Sequence, residues 1–229
     1  AAHSPVDAAR LAEPNLLRVP KTDAQRIEER EAHLVAYQSP KLASTYRRML
    51  DGITDPELRM AVANGYHKLL SYKDEYEVAR LHLDTAVKAR EVFDGDFKMT
   101  FHLAPPVLSK TGTDGRPVKK AFGAGMLRIF AVLARLKGLR GTPLDPFGYT
   151  AERRSERALI AQYEADMAEL LPRLSPHTRD ALVALAELPL QIRGFGPVKH
   201  KAAEAAAKRR SELRSVILEG GAPLASAAE

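Results

Sequence analysis

Residues 39–50 read SPKLASTYRRML, and this stretch decides the class of fold. Ser39 offers a side-chain oxygen to the open amides of a first helical turn. Pro40 suits the first helical position, where no amide hydrogen is needed. Leu42, Tyr46, Met49 and Leu50 then recur at helical spacing on one face. The same start returns in residues 175–189, SPHTRDALVALAELP, with Ser175 as cap, Pro176 at the first position and Pro189 as the stop. Between them, residues 54–60, TDPELRM, pair Thr54 with Glu57 as a capping box. That box predicts a helix to about Leu83, with Gly65 and Ser71 as places for a bend.

Outward from these starts the pattern stays helical. A helix is expected from Asp23, with Ile27, Leu34 and Tyr37 near one face. Thr150 caps a long helix to Leu171 whose stripe is Leu159, Tyr163, Met167 and Leu170. A last helix runs from about Pro197 to Leu218. Residues 125–137, GMLRIFAVLARLK, are apolar on nearly all sides and predict a central helix. One segment breaks the rule. Phe97, Met99, Phe101 and Leu103 alternate in DFKMTFHL, which is strand spacing. Pro105-Pro106 ends that strand and Asp114-Gly115 marks a turn. Residues 96–122 are therefore read as a small hairpin with a long loop. The expected fold is mainly α, a multi-helix domain with a small β-hairpin inserted near the middle. Residues 1–21, with three prolines, read as a linker or the end of a preceding domain. Residues 22–218 read as a single helical domain, and 219–229 as a flexible tail.

The chain has 229 residues, 45% hydrophobic and 28% charged, ordinary values for a globular protein with its own core. There is no cysteine. A thiolate-held iron–sulfur cluster, a cysteine zinc site and a cysteine nucleophile are thereby excluded within this chain. The lack of cysteine agrees with a cytoplasmic location. The start AAHSPVDAAR has no initiator Met and no signal core, and reads like the interior of a longer chain. The longest apolar run is interrupted by Arg128 and Arg135 and is too short to span a membrane.

Net charge is +6, and residues 193–219 carry +4 of it. Such a run suits an anionic partner, although a solvated helix face is its commoner meaning. The run follows the turn IRGFG. The turn lacks the third glycine of a dinucleotide loop, because Lys199 stands there, and a helical segment rather than a strand precedes it. It also has the G-x-G of a helix–hairpin–helix nucleic-acid module, but His200 occupies the place of the expected small residue. The plainer reading is an inter-helix turn in which Gly194 or Gly196 takes positive φ. Arg153, Arg154 and Arg157 crowd the first turns of the helix capped by Thr150, where cations oppose the helix dipole. Either Glu152, Glu156 or Asp145 neutralises them, or they face an anion together with Arg193, Lys199 and Lys201. In KDEYEVAR, residues 73–80, Asp74 or Glu77 can pair with Lys73 or Arg80 at helical spacing, partly buried under the neighbouring tyrosines. Such paired carboxylates serve either acid–base work or, far more commonly, helical ion pairs, and Asp74 and Glu77 are read as the latter. The seven histidines show no metal-ligand spacing.

Several stretches together resemble one known family. These are EAHLVAYQSPKLASTYRRML, YHKLLSYKDEYEVARLHL, FKMTFHLAPPVL, GRPVKKAFG, LKGLRGTPLDPFGYTAERRSERALIAQYE and LPLQIRGFGPVKHK. In order, over about residues 25–218, they look like the C-terminal domain of the fused indolepyruvate ferredoxin oxidoreductases. The resemblance implies a parent enzyme that oxidatively decarboxylates aryl-2-oxoacids to acyl-CoA and reduces ferredoxin. It implies thiamine diphosphate, iron–sulfur clusters and CoA in that parent, held by other domains, and no cofactor and no catalytic residue in this chain. The implied partners are the parent's other domains, ferredoxin, and further copies in a homo-oligomer. The competing expectation is a free-standing binding module for nucleic acid or another polyanion.

Overall fold

Helix starts follow from local caps. The computed structural model describes residues 20–93, 95, 98–103, 120–194 and 197–221. Helix α1 (Asp23–Tyr37) begins with a capping box between Thr22 and Gln25 and buries Ile27, Leu34 and Tyr37. Helix α2 (Pro40–Leu50) is capped by Ser39, whose oxygen accepts from the Leu42 amide, and buries Ala43, Tyr46 and Leu50. Helix α3 (Pro56–Leu70) starts one residue later than the Thr54 box predicts. Asp55 is the cap and accepts from the Leu58 amide. Pro56 at the first position sets that frame, and Arg179 grips the same carboxylate from a distant helix.

The helix expected to run on to Leu83 breaks at Ser71–Asp74. Helix α4 (Glu75–Val92) starts afresh with Asp74 as its cap. The cause is tertiary, because Asp74 is drawn into the ion pair described below. Strands β1 (Phe101–Leu103) and β2 (Lys120–Phe122) pair antiparallel, Phe101 opposite Phe122. Helix α5 (Met126–Arg135) follows, then a 3-10 turn (Leu136–Leu139). Helices α6 (Ala151–Leu170), α7 (Arg179–Glu187) and α8 (Pro197–Leu218) complete the order. Ser175 opens a turn rather than α7 itself. Its hydroxyl accepts from the Thr178 amide and its carbonyl takes the Arg179 amide, so regular helix begins one turn later than expected. The described residues thus form a mainly α fold with one two-stranded hairpin near the middle. The linker within 1–19, Phe97, Pro105-Pro106, Asp114-Gly115, Gly196 and the tail from 222 lie outside the described residues.

The main core joins α1, α2, α3, α6, α7 and the C-terminal half of α8. A ladder of tyrosines runs through it. Tyr46, Tyr66 and Tyr163 stack with ring centroids 6.2 and 5.8 Å apart. The rings fill the core, and two of the three hydroxyls find a partner, while that of Tyr46 is buried without one among the described residues. Tyr66 donates to Glu164 at 2.5 Å, and Tyr163 donates to the Ala186 carbonyl at 3.1 Å. Gly65 lets α3 and α7 touch, for a Cβ there would stand 2.0 Å from the Ala186 oxygen.

Helix α5 is not central. Phe130 alone of its side chains is buried, in a small cluster with Ala79 and Phe101. Ile129 and Val132 are 51% and 57% exposed. A helix that is apolar all round ordinarily finds cover on every side. This one packs chiefly on α4 and the hairpin, at the edge of the molecule.

Candidate functional site

Asp74 caps α4 through the Glu77 amide at 2.9 Å, and its carboxylate also takes a two-point grip from Arg140. Arg140 Nε and Nη2 donate to Asp74 Oδ2 and Oδ1 at 2.5 and 2.8 Å. The third guanidinium arm donates to the Tyr37 carbonyl at 2.8 Å, and the guanidinium carbon lies 3.6 Å from the Tyr37 ring centre. Both side chains are 3% exposed. A buried pair of this kind is tolerable only when the remaining donors and lone pairs are met, as they are here. The Tyr37 hydroxyl donates to the Tyr72 carbonyl, and burial pushes its pKa well up. Asp145, in the same loop as Arg140, is buried too. It accepts from Tyr76 and from the Gly141 and Phe147 amides at 3.0, 3.0 and 3.1 Å. The Gly/Pro loop 138–150 is thus closed onto α1 and α4 by the Arg140 ion pair and the Tyr76–Asp145 bond, together with an edge-to-face contact of Phe147 on Tyr76 with ring centroids 5.3 Å apart.

A second polar chain lies beside the clamp. His33 Nδ1 and His67 Nε2 are 3.0 Å apart, and His33 Nε2 is 3.7 Å from Glu77 Oε1. Arg80 holds Glu77 in a two-point pair at 2.6 and 2.9 Å. Burial works to raise the Glu77 pKa, but hydrogen bonds from His33 and Arg80 outweigh it and hold the carboxyl at about 2. Burial, with the charges of His33 and Arg30, lowers His67 to about 4. Both groups make the fold acid-sensitive. Between pH 6.5 and 4 the unfolded chain binds a proton that folded His67 refuses, so stability falls as pH drops through that window. Glu77 adds its own loss from pH 4.5 down to 2. The His67 part amounts to at most about 3 kcal/mol. Urea midpoints measured from pH 7 to pH 4 will fall in the wild-type chain, and His67→Gln will flatten the upper part of that slope. An unchanged slope in the variant would assign the loss to other groups.

His67 also lines an open cleft of about 600 Å³. Its walls come from Arg30 on α1, from Asn64 to Lys73 across the α3–α4 break, from Glu156 and Leu159 on α6, and from the turn Pro189–Gly194 with Lys199. Lys68 donates to the Ile192 carbonyl at 3.1 Å. Arg193 Nε donates to the Leu190 carbonyl at 2.7 Å, and Lys199 pairs with Glu156. Gly194 has φ +98, and a Cβ there would strike Val198 Cγ1 at 2.8 Å. The turn IRGFG therefore needs glycine at 194 to set Arg193 and Lys199 on one rim.

The residues singled out in the sequence divide between these places. Glu77 and Arg80 pair as expected from their spacing, whereas the partner of Asp74 is Arg140 and Lys73 lines the cleft. Arg193 and Lys199 reach the cleft too. Arg153 is buried instead, 3.8 Å from Glu75 and with its guanidinium carbon 5.5 Å from the Tyr72 ring centre. Arg154 and Arg157 donate to the Tyr149 and Gly148 carbonyls at 2.7 and 2.6 Å. Lys201 is exposed on α8 and does not line the cleft. Of the acids expected to neutralise the three arginines, Glu152 and Glu156 face Lys199 and Asp145 serves the loop. The basic run of α8 is partly structural, since Arg210 and Arg214 both grip the buried Asp166 on α6. Sequence reasoning missed Arg140 and the His33–His67 contact. A lone arginine inside a Gly/Pro loop, five residues before an aspartate, was the available signal for the first. Nothing in the spacing marked the second.

Among the described residues no group of three or more His, Asp or Glu side chains is arranged to hold a metal, and no helix is long and apolar enough to cross a membrane. A model of a family of unknown function, DUF6537, matches residues 24–212. No curated protein and no solved structure matches the chain.

Proposed function

Since the chain belongs to DUF6537, a family of unknown function, its role is read from its own residues, and we propose that it is a non-catalytic accessory domain of an aryl-2-oxoacid ferredoxin oxidoreductase of the indolepyruvate type. Its role there is structural and partner-positioning, in the cytoplasm. One observation carries this reading. Six polar contacts between distant parts of the chain, Asp74–Arg140, Tyr66–Glu164, Tyr76–Asp145, His33–His67, Lys68–Ile192 and Lys199–Glu156, join one of the resembling stretches to another, whereas Arg179–Asp55 and Arg210–Asp166 lie outside those stretches. The features that carry the resemblance are thus used to lock a scaffold. The hard chemistry of such an enzyme belongs to thiamine diphosphate and iron–sulfur clusters, which a protein only binds and orients.

The test uses the chain beside an indolepyruvate ferredoxin oxidoreductase lacking its own C-terminal domain. The chain alone, given indolepyruvate, CoA, ferredoxin and thiamine diphosphate, is expected to show no turnover. Mixed with the truncated enzyme, it is expected to co-elute on size exclusion. Turnover by the chain alone would sink the non-catalytic reading. Failure to co-elute, with tight binding to nucleic acid of any sequence, would favour the free-standing polyanion module that the basic cleft also suits.

A further inference from the structure

Five cations converge on the open cleft: Arg30, Lys68, Lys73, Arg193 and Lys199. Glu156 is the single carboxylate among the described residues that line it, and Lys199 already holds that group. Gathering like charges in one concavity raises the free energy of the empty site, although at Lys68 this is the smaller contribution. Partial burial is the first cause that lowers its ammonium pKa. Glu156 opposes the shift, and Lys199 and Arg193 add to it. The Ile192 carbonyl that Lys68 reaches is a dipole, not a counter-ion. These cations come from three separate parts of the chain, on α1, at the α3–α4 break and around the Gly194 turn. A solvated helix face would instead draw them from one element. A cleft lined by one sign of charge focuses its field and concentrates ions of the other sign.

From this we infer that the cleft is a binding site for a small oxyanion carrying two or more negative charges, of the diphosphate or tricarboxylate kind. The volume of about 600 Å³ exceeds what one phosphate fills and lies within the roughly 300–1,000 Å³ usual for small-molecule sites. Arg193 supplies a planar fork at the rim, and the lysines supply point charges that follow the ligand's shape. Asn64 and His67 add hydrogen-bonding groups to the wall without adding charge near neutral pH. Leu159, Pro189 and Ile192 give the cleft an apolar side, against which the uncharged part of a ligand packs. The inference does not rest on the accessory-domain reading, and the chain by itself tests it.

The experiment titrates the full chain with sodium pyrophosphate and, separately, with citrate, by calorimetry at low salt and by chemical shifts at His67 and Lys68. Saturable binding of at least one ion is expected, and which of them binds more tightly separates the phosphate source from the carboxylate source. Arg193→Glu and Lys68→Met are each expected to weaken it about tenfold or more, as loss of a charge-assisted contact does. Lys208→Glu makes the same charge change as Arg193→Glu, on an exposed part of α8 away from the cleft. It should weaken binding by less than about threefold, because screening limits distant charges. Arg193 is exposed, so its variant stays folded even if Lys68→Met does not. Binding of neither ion at millimolar concentration would overturn the proposal. So would equal weakening by Lys208→Glu and Arg193→Glu. Tight binding of polyglutamate with neither small ion bound would also overturn it, marking the cleft as a docking surface for an acidic chain.

Discussion

Asp74→Ala will cost the fold about 3–5 kcal/mol, the loss expected when one partner of a buried pair is removed and the other stays behind unpaired. Arg140 would remain in a site 3% exposed with two of its donors unmet. The cap of α4 would be lost as well, which accounts for about 1 kcal/mol of the total. Asp74→Asn separates the two effects. It keeps an oxygen for the Glu77 amide but removes the charge facing Arg140, so most of the loss should persist. The double variant Asp74→Asn with Arg140→Met should recover a large part of it, since no uncompensated charge is then buried. Urea denaturation of the single and double variants measures all three values. A loss below about 0.5 kcal/mol for Asp74→Ala would be that of a solvated surface pair, and the clamp would have to be abandoned.

Gly65→Ala is the second large effect, and its sign decides between two forces. Helix propensity alone makes alanine better by about 1 kcal/mol in the interior of α3. Packing opposes it. The new Cβ would lie 2.0 Å from the Ala186 oxygen and 3.1 Å from the Tyr163 hydroxyl. The nearest obstacle is backbone, which cannot swing aside as the end of a flexible side chain can. Relief requires α3 and α7 to separate, and it breaks the bond from Tyr163 to Ala186 at the foot of the tyrosine ladder. A net loss of about 3 kcal/mol or more is expected, at the upper end of what overpacking costs. A melting temperature equal to or above that of the wild-type chain would show that the helices can part at little cost.

The two variants bear on the functional proposals differently. Asp74 and Gly65 lie in the scaffold, so their loss should lower stability before it alters anion binding. Arg193 lies on the cleft rim and should do the reverse. A stability cost at Asp74 without a binding cost at Arg193 would leave the clamp intact and remove the anion site. The proposals are therefore separable in the same chain.

The sequence by itself determined the helical class and most helix starts. Thr150, Ser39 and Pro197 stand where α6, α2 and α8 begin, because capping is settled within about four residues of the cap. The alternation of Met99, Phe101 and Leu103 likewise placed β1, since side-chain period is a local property. It also pointed to a charge pair around residues 73–80, of which Glu77–Arg80 is the local part. Tertiary structure decided the rest. Thr54 and Asp55 are both good caps, and Pro56 together with Arg179 selected Asp55. The helix through Ser71 breaks where Asp74 both caps α4 and pairs with Arg140, 66 residues away. The apolar run of α5 signalled burial, but only neighbours in space can supply cover, and Ile129 and Val132 stay exposed among the described residues. The cleft could not be read in advance for the same reason. Arg30, Lys68, Lys73, Arg193 and Lys199 have no common spacing in the chain, and the electrostatic field they share depends on distance through space rather than along the sequence.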